Sequence, residues 1–387
     1  MNKIILLIDI SEKYGQSLLT GIVRYFKENG SALFCKMPLY YRETLGIKGI
    51  IKFAKEWGAQ GIIAQLSNTR DVKKIADSGI HLIVEDFKER FAEFPNITGG
   101  YFEAGQMGAE YFVKKGFKNF AFYGFRNIVW SRERSEGFEE YLHDLGFDVY
   151  NFEHEELHTT DLWYYKPSAL SKWLKSLPKP IAIMACDDAR GQHITEACKH
   201  ANIKIPEDVV VLGVDNDEMT CNLSDPPLSS VNLDTEKGGY EAARLMDLMI
   251  QGKVKKPQNV MVMPTYIVTR QSTDIASASD SHIALALNYI HKNLENNLSV
   301  PDVLNQVAIS RRSLEKRFLD VTGTSIYKYI FKLRMQKFSQ RLLETDKTIS
   351  EIAIDSGFIL TNNISRQFKQ IHGCTPGEYR KLHLPRK

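Results

Sequence analysis

A short helix, a glycine turn and a second short helix near the C-terminus constrain this chain more than any other stretch. Between Ile349 and Phe358, apolar residues recur at helical spacing until Gly357 interrupts the pattern, because glycine adopts turn conformations that other residues resist. The stretch that follows again has helical spacing, with Ile364 and Phe368 on its apolar side. This arrangement is typical of a helix-turn-helix unit, although an ordinary helical hairpin with a solvated polar face has the same spacing.

A second copy of this design lies upstream in the sequence. Ser299 is suited to cap a helix, a turn follows, and Leu314 and Phe318 are expected to face inward on a second helix. A run of helix-forming residues, 325–344, joins the two copies. The two helix-turn-helix units are therefore expected at about 299–319 and 348–370.

The tandem units resemble the C-terminal domain of the AraC/XylS family of bacterial transcription regulators. The matching positions are Ile352-Ala353, Gly357-Phe358, Arg366, Phe368-Lys369, Gly373, Thr375-Pro376 and Tyr379-Arg380. One departure is Asn363-Ile364, which stands where the family commonly has a Tyr-Phe pair, so base preference is not carried over. The resemblance implies that the chain binds double-stranded DNA, and that RNA polymerase is a further partner.

Candidate DNA-contacting side chains lie on the exposed face of the second helix of each unit. Arginine can hydrogen-bond guanine in the major groove and asparagine can hydrogen-bond adenine, whereas lysine more often holds phosphates or is simply solvated. The candidates are Arg311, Arg312, Glu315 and Lys316 in the first unit and Thr361, Asn362, Asn363, Arg366 and Lys369 in the second.

The charge of the chain is distributed unevenly. The net charge is +3, but residues 281–387 carry 17 Lys and Arg against 9 Asp and Glu, a balance of +8. Residues 1–280 carry 33 against 38, a balance of −5. A basic C-terminal region behind an acidic body indicates that any nucleic-acid contact is made by the C-terminal region.

Strand-like and helix-like segments alternate through the first 270 residues. The opening run Ile4–Ile8 is entirely apolar, as in a strand buried on both faces of a parallel sheet. The alternation predicts βαβ units in a doubly wound α/β fold, with a turn at 95–100 separating two series. Residues 272–281 are small and polar and are expected to form the linker to the all-α C-terminal domain.

The two series resemble the sugar-binding core of LacI-type repressors and periplasmic binding proteins. The matching segments are Arg134–Phe138, Ile183–Asp188, Ile205–Val209, Leu212–Asp215 and Leu228–Val231. The resemblance implies a sugar-sensing domain at 1–275 with one lobe at about 1–99 plus 232–260 and the other at 100–231 plus 261–275, followed by the DNA-binding domain at 276–387. Because the first strand begins at residue 3 or 4, no DNA-binding headpiece is expected before the core.

Ligands of two-lobe folds bind in the crevice at the carboxyl ends of the strands. Polar side chains just after apolar strands are therefore candidate sugar contacts, since carboxylates and guanidinium groups supply paired acceptors and donors to a polyol, and an aromatic ring can pack on its apolar face. The candidates are Asp9, Tyr14, Gln16, Trp130, Arg132, Arg134, Asp187, Asp188, Arg190 and Asp215. Asp215 and Arg134 also match sugar-binding positions of the LacI-type pattern.

Each candidate has a simpler alternative. For example, Asp187 or Asp188 could serve as the cap of the following helix without contacting a ligand. Paired carboxylates could serve glycoside hydrolysis, but no nucleophile elbow, phosphate loop or metal constellation accompanies them, so an enzyme is not expected. His154 and Glu156 lack downstream ligands for zinc and are expected in a surface loop.

Composition indicates the compartment and excludes some classes. With 43% hydrophobic and 25% charged residues the chain is ordinarily globular, and no apolar run approaches the ~18 residues that cross a membrane. The start of the chain predicts a buried strand rather than a signal peptide. Five cysteines without a CxxC pair suit reduced thiols in the cytoplasm and no bound metal or cofactor.

A LacI-type core followed by an AraC-type tail covers essentially the whole chain and resembles pentose-responsive activators. The resemblance implies a cytoplasmic homodimer whose effector is an aldopentose, D-xylose being the expected one, and whose lobes close on the sugar and reposition the DNA-binding domains. The alternatives are a sensor of arabinose or a hexose, a sugar-binding receptor or transport component, and a sugar-acting enzyme.

Overall fold

The computed structural model divides the chain into two compact units, Met1–Thr273 and Asp274–Lys387. It describes residues 2–37, 40–154, 166–254, 257–274, 281–294, 296, 298–322, 324–345, 347–358 and 363–383. The division falls two residues before the boundary predicted from the sequence, and residues 275–280 of the predicted linker lie outside the described residues.

The first unit consists of alternating strands and helices. Its strands are β1 Asn2–Leu7, β2 Ala32–Lys36, β3 Gly61–Gln65, β4 His81–Glu85, β5 Asn96–Gly99, β6 Phe120–Phe125, β7 Val149–His154, β8 Ile181–Ala185, β9 Val209–Val214, β10 Ser229–Leu233, β11 Val260–Val262 and β12 Pro264–Val268. Its helices are α1 Lys13–Asn29, α2 Tyr40–Trp57, α3 Thr69–Ala76, α4 Tyr101–Lys114, α5 Val129–Asp144, α6 Pro167–Ser176, α7 Asp188–Ala201, α8 Glu218–Leu223 and α9 Thr235–Ile250.

The strands form two six-stranded sheets, one in each lobe. The first has the order β11-β5-β4-β3-β1-β2 and the second β12-β10-β9-β8-β6-β7. Pairing is parallel except between β10 and β12. Ile4 to Leu7 of β1 are fully buried, as expected for a strand covered by helices on both faces. The predicted doubly wound fold with two lobes is confirmed.

The chain crosses between the two lobes at three points within the described part. Gly100 connects β5 to α4, Asp234 connects β10 to α9, and Met263 connects β11 to β12. These crossings are hydrogen-bonded to one another: Gly100 N donates to Val262 O (2.9 Å), Asp234 N to Met263 O (3.0 Å), and Met263 N to Oδ1 of Asp234 (2.6 Å). The crossings thus form a single hinge.

The predicted turn at 95–100 is wrong for residues 96–99, which form β5. Asn96 and Thr98, which resemble turn residues in the sequence, are buried. The Asn96 side chain donates from Nδ2 to the carbonyls of Phe91 and Phe94, so its polar atoms are satisfied inside the lobe. Pairing with β4 on one side and β11 on the other then completes the strand.

The second unit is helical throughout the part that the structure describes. Its helices are α10 Ser281–Asn293, α11 Val300–Leu304, α12 Arg311–Thr322, α13 Ile326–Glu344, α14 Ile349–Asp355, α15 Ile364–His372 and α16 Pro376–His383. Two helix-turn-helix units, α11–α12 and α14–α15, are joined by the long helix α13.

Capping residues delimit these helices. Ser299 forms a capping box with Asp302 before α11, and Thr348 forms one with Glu351 before α14, which satisfies the free N–H groups of each first turn. Gly357 adopts a φ of 85°, the left-handed conformation that glycine allows without strain. Leu314, Phe318, Ile364 and Phe368 are buried, so the predicted inward faces are confirmed.

No helix in the described part of the chain is long and apolar enough to cross a membrane. Among the same residues, no group of three or more His, Cys, Asp or Glu side chains is placed to hold a metal ion. Cys35, Cys186, Cys198, Cys221 and Cys374 are free thiols.

Candidate functional site

Polar side chains from both lobes gather in one cleft, where strands of the two sheets end. In the first lobe they follow β1 and β4, and in the second they follow β6, β8 and β9. The lobes touch beside the cleft, where Arg90 Nη2 lies 2.7 Å from Glu133 Oε2 and the backbone N–H of Val129 donates to Phe87 O (2.8 Å). This is the crevice expected for the fold.

Arg134 of α5 is the central cation of the cleft. It is buried, its Nη2 lies 3.3 Å from Oδ1 of Asp215, and its Nη1 donates to the carbonyl of Cys186. The guanidinium also lies over the rings of Tyr101 (5.4 Å) and Trp130 (5.3 Å). Its Nε is buried and has no hydrogen-bond partner among the residues that the structure describes. A donor left in this state suits a ligand acceptor.

The position of Arg134 depends on a close crossing of two helices. A Cβ added to Gly105 of α4 would lie 2.1 Å from the carbonyl oxygen of Arg134, and one added to Gly137 of α5 would lie 2.0 Å from that of Phe102. The backbones of α4 and α5 therefore approach as closely as glycine permits, which brings Arg134 over the Tyr101 ring.

Asp215 is held in a strained backbone conformation at the end of β9. Its φ is 98° and that of Asn216 is 50°, a region that residues other than glycine rarely adopt. Hydrogen bonds stabilise the turn, since Asn216 N donates to Ser230 Oγ (2.9 Å) and Arg270 Nη2 donates to Asn216 Oδ1 (2.8 Å). Burial raises the pKa of Asp215, and the Arg134 guanidinium opposes this rise. Strain of this kind is found where a side chain must be aimed.

Asp187 and Arg190 form a buried pair at the start of α7. Oδ1 of Asp187 accepts from the backbone N–H of Arg190 (2.7 Å) and from its Nε (2.7 Å). The Arg190 guanidinium lies 4.9 Å from the centre of the Phe125 ring. Asp187 thus caps the helix, as its simpler interpretation predicted, and also orients an arginine towards the cleft.

Asp188 lies beneath the cleft rather than in it. Its Oδ1 accepts from Ser230 Oγ (2.6 Å) and its Oδ2 from the backbone N–H of Asp217 (2.6 Å). Both oxygens are therefore engaged within the second lobe, and the residue supports the loops that carry Asp215. Burial raises the pKa of this carboxyl group, with the Asp215 carboxylate as the next cause.

The first lobe contributes Tyr14 and Glu85, and each carries a buried oxygen for which the described part of the chain supplies no hydrogen-bond partner. Glu85 ends β4, its Oε1 accepts from Gln65 (3.3 Å), and its Oε2 is the unpartnered atom. The next residue, Asp86, accepts from Tyr101 (2.8 Å) and is also paired with Arg90. A hydroxyl-rich ligand would satisfy the open atoms of Tyr14 and Glu85.

Two carboxyl groups of the first lobe have strongly raised pKa values. Burial, with the neighbouring Asp86 carboxylate, raises the pKa of Glu85 to about 8. Removal from bulk water within the cleft, and then the Asp187 carboxylate, raise the pKa of Glu12 to about 7, although the Glu12 side chain itself reaches solvent. The carboxyl groups of Glu85 and Glu12 are therefore at least partly protonated near neutral pH.

The remaining predicted ligand residues lie at the rim. Asp9 is exposed and its Oδ1 accepts from Ser11 Oγ (2.6 Å), while the exposed Gln16 donates to Ile10 O (3.2 Å). Half-buried Arg132 lies 3.7 Å from Glu136 on its own helix. Trp130 is half-buried against Phe125, with ring centres 6.1 Å apart.

The predicted DNA-contacting side chains that the structure describes are exposed on the second helix of each unit or, for Asn363, directly before it. In the first unit Arg311 pairs with Glu315 (2.9 Å), and Arg312 and Lys316 are solvent-exposed on α12. In the second unit the exposed side chains are Asn363, Arg366 and Lys369. Thr361 and Asn362 lie outside the described residues.

Several residues of the site were not among the candidates predicted from the sequence, although the strand-end argument applies to some of them. Glu85 and Asp86 stand at the carboxyl end of β4, where the same argument would have placed them. Tyr101 begins the helix after β5, but β5 was expected to be a turn. Arg270, whose Nη2 donates to Asn216 Oδ1, is far along the chain from the other residues of the site and belongs to no pattern that the sequence shows.

Comparison with protein families identifies both units. Residues 109–273 match a periplasmic binding protein-like domain, and residues 303–382 match a helix-turn-helix domain. The chain is therefore a transcription regulator in which a two-lobe binding domain precedes an AraC-type DNA-binding domain.

The similarity to particular proteins extends over the full length. The chain is 28% identical to the xylose operon regulatory protein of Escherichia coli K12, covering 99% of this chain and 97% of that protein. It is 29% identical to the protein of the same name from Haemophilus influenzae, covering 98% of each. A solved structure of the xylose-binding transcription activator xylR is 27% identical, covers 98% of each chain and superposes with a TM-score of 0.60.

Proposed function

We propose that this chain is a cytoplasmic regulator that activates pentose catabolic genes when an aldopentose, D-xylose, binds between the lobes of its first unit. The observation that carries the proposal is the cleft around Arg134, in a chain similar throughout its length to xylose operon regulators.

The open polar atoms of the cleft match the chemistry of a neutral sugar. Arg134 Nε is a donor, the Tyr14 hydroxyl can donate or accept, and the Glu85 carboxyl group, whose pKa is raised to about 8, can donate while protonated and accepts when ionised. A pentose has a hydroxyl on nearly every carbon, and each can donate and accept. Trp130 beside these groups can pack on the C–H face of the sugar.

Sugar binding would favour the closed arrangement of the lobes, because the ligand bridges groups that belong to both. Tyr14 and Glu85 lie in the first lobe and Arg134 and Asp215 in the second, so only the closed state satisfies all of them. In a homodimer this movement would reposition the two DNA-binding units.

The second unit would read DNA with α12 and α15. Arg312 and Arg366 are exposed on these helices, and two such helices on one chain suit successive major grooves about one helical turn (~34 Å) apart. RNA polymerase is the further partner proposed for an activator of this type.

Two measurements test the proposal on purified full-length protein. Calorimetric titration with xylose, arabinose, ribose and glucose should give tight binding of xylose, and binding to selected DNA should change when xylose is added. Binding of another sugar instead would change the effector and leave the class of regulator intact. Conversion of the sugar, detected by chromatography after incubation, would instead support an enzyme.

A further inference from the structure

The two helix-turn-helix units have separate hydrophobic cores. The first core includes Leu314 and Phe318 with Ile326 and Ile330 of α13. The second includes Met335, Phe338 and Leu342 of α13, together with Ile352, Ala353, Ile364 and Phe368. The helix α13 contributes its first half to one core and its second half to the other. Apolar packing therefore stabilises each unit separately, and the two units are joined by α13 and by the contacts at its middle.

Arg334 lies in α13 at the boundary between the two cores. Its side chain is buried, with 8% of the residue exposed. Nε donates to Leu294 O (3.1 Å), and Nη2 donates to Asn296 O (2.9 Å) and to Leu298 O (3.0 Å). These three carbonyls belong to the segment between α10 and α11, so Arg334 anchors that segment of the first unit to the central helix.

The turn of the second unit rests on the same anchor. A Cβ added to Gly357 would lie 2.6 Å from Leu294 O and 2.7 Å from Nε of Arg334. The backbone of the Gly357 turn is thus in direct contact with the hydrogen-bonded pair, and no larger residue fits there. Beside it, the rings of Phe331 and Phe358 meet edge to face, with centres 5.9 Å apart.

A buried guanidinium suits this position better than an apolar residue would. It donates to the carbonyl oxygens of Leu294, Asn296 and Leu298, and its planar donors impose direction, which apolar contacts do not. A lysine has a single nitrogen on a flexible stem and cannot reproduce this geometry.

We propose that Arg334 is a positioning residue that fixes the distance and angle between α12 and α15, and thereby the spacing between the two DNA sequences that one chain recognises. The inference rests on the proposed DNA-binding function. Arg334 acts through the carbonyls of Leu294, Asn296 and Leu298 and through the Gly357 turn, and itself contacts no base.

The test begins with selection of double-stranded oligonucleotides from a random pool by full-length wild-type protein. The selected DNA defines two boxes and their spacing; failure to select any DNA would refute the proposed function rather than this inference. Wild type, Arg334→Gln and Arg334→Lys are then titrated with four probes: the selected DNA, the same DNA with its spacer lengthened by one base pair, and each box alone.

A fixed geometry joins two binding events into one, and such coupling is worth on the order of 100-fold in affinity. Both Arg334 variants are expected to lose roughly that factor on the selected DNA, to bind the lengthened probe as well as the original, and to bind each single box as wild type does. Lys332→Gln, which removes a charge from an exposed position on the same helix, should retain the wild-type preference for spacing.

Two results would overturn the inference. Variants that still discriminate against the lengthened spacer would show that the orientation is fixed without Arg334. Variants that lose binding to single boxes as well would show that Arg334 supports the fold of each unit and not the spacing between them.

Discussion

Arg134 Nη2 and Asp215 Oδ1 lie 3.3 Å apart in the second lobe, and the buried Nε of the guanidinium has no partner within the described ranges. The pair is therefore incomplete in the protein alone. A buried pair is stabilising only when its remaining donors and acceptors are satisfied, and here a sugar hydroxyl would complete it. This relationship makes Asp215 the most informative residue to change.

Asp215→Asn is expected to weaken sugar binding by roughly 100-fold, because it leaves the buried charge of Arg134 uncompensated. Asparagine is chosen over alanine because it tolerates the φ of 98° at this position, so the backbone should remain in place. Calorimetric titration with xylose measures the change.

The matched control for Asp215→Asn is Asp144→Asn, which alters an exposed carboxylate at the end of α5. It should leave sugar affinity unchanged, and neither variant should alter DNA binding in the absence of sugar. Wild-type sugar affinity in Asp215→Asn would place the ligand elsewhere.

The stability of the free sensor should fall as pH rises from about 5 to about 9. Glu85 ionises near its ordinary pKa of 4.5 in the unfolded chain but at about 8 in the folded one, so between these values the folded state retains a proton that the unfolded state has lost. The contribution is complete at low pH and is lost as pH rises through 8. Glu12, with a pKa of about 7, acts in the same direction.

Melting temperatures measured across this pH range without sugar test the effect of Glu85. Glu85→Gln should flatten the pH dependence and raise the melting temperature most at alkaline pH, since the amide never acquires a charge. Glu140→Gln, at an exposed position of α5, should retain the wild-type slope. A slope that is unchanged in Glu85→Gln would assign the titration to other groups.

Arg312→Ala and Arg366→Ala should each weaken binding to selected DNA by roughly tenfold or more, since a good base contact contributes about 1–3 kcal/mol. Sugar affinity should not change, because the binding cleft lies wholly within the first unit. Gel-shift titration and calorimetry on the same preparations provide both measurements.

Arg244→Ala, at an exposed position of α9 in the sensor, is the control for a lost positive charge. If it weakened DNA binding as much as the two helix variants do, general charge rather than base reading would account for the effect.

A fragment beginning at Asp274 should fold and bind DNA weakly, with affinity that falls steeply as salt increases. Asp274 Oδ2 accepts a hydrogen bond from Tyr329 on α13 (2.8 Å). A fragment beginning at Ser281 lacks this acceptor and should be less stable by about 1 kcal/mol, as should Tyr329→Phe in the longer fragment. Thermal melting compares the three proteins, and equal stability would contradict a role for Asp274.

Phe338→Ala and Phe318→Ala should affect different halves of the DNA-binding unit. Each removes a fully buried ring from one of the two cores, at a cost of about 3–5 kcal/mol. Hydrogen exchange should show lost protection around α14–α15 in Phe338→Ala and around α11–α12 in Phe318→Ala. Loss of protection across all of these helices in either variant would contradict separate cores.

Local patterns in the sequence predicted much of this fold, because apolar strands, helical spacing and capping residues act over a few positions. Ser299, a capping residue, and Leu314, which follows the helical spacing, were predicted from such local patterns. β5 escaped prediction because the partners that satisfy its Asn96, the Phe91 and Phe94 carbonyls, are revealed only by the folded loop.

The residues of the site could be predicted from the sequence where they directly follow a recognisable strand. Asp215 directly follows β9, as the argument from parallel sheets expects, whereas its partner Arg134 lies within α5. Whether a carboxylate faces the cleft or the protein interior depends on neighbours remote in sequence. Asp188 is directed inward by Ser230 and by the Asp217 N–H, which no pattern within β8–α7 discloses.

The triple crossing at Gly100, Asp234 and Met263 has a mechanical consequence. Three chain segments that are hydrogen-bonded to one another resist sliding and twisting of the lobes far more than bending between them. The two lobes therefore rotate about one common axis. The free energy of ligand binding then changes one quantity, the angle between the two lobes. A sensor of this construction reports the presence of its ligand as an angle.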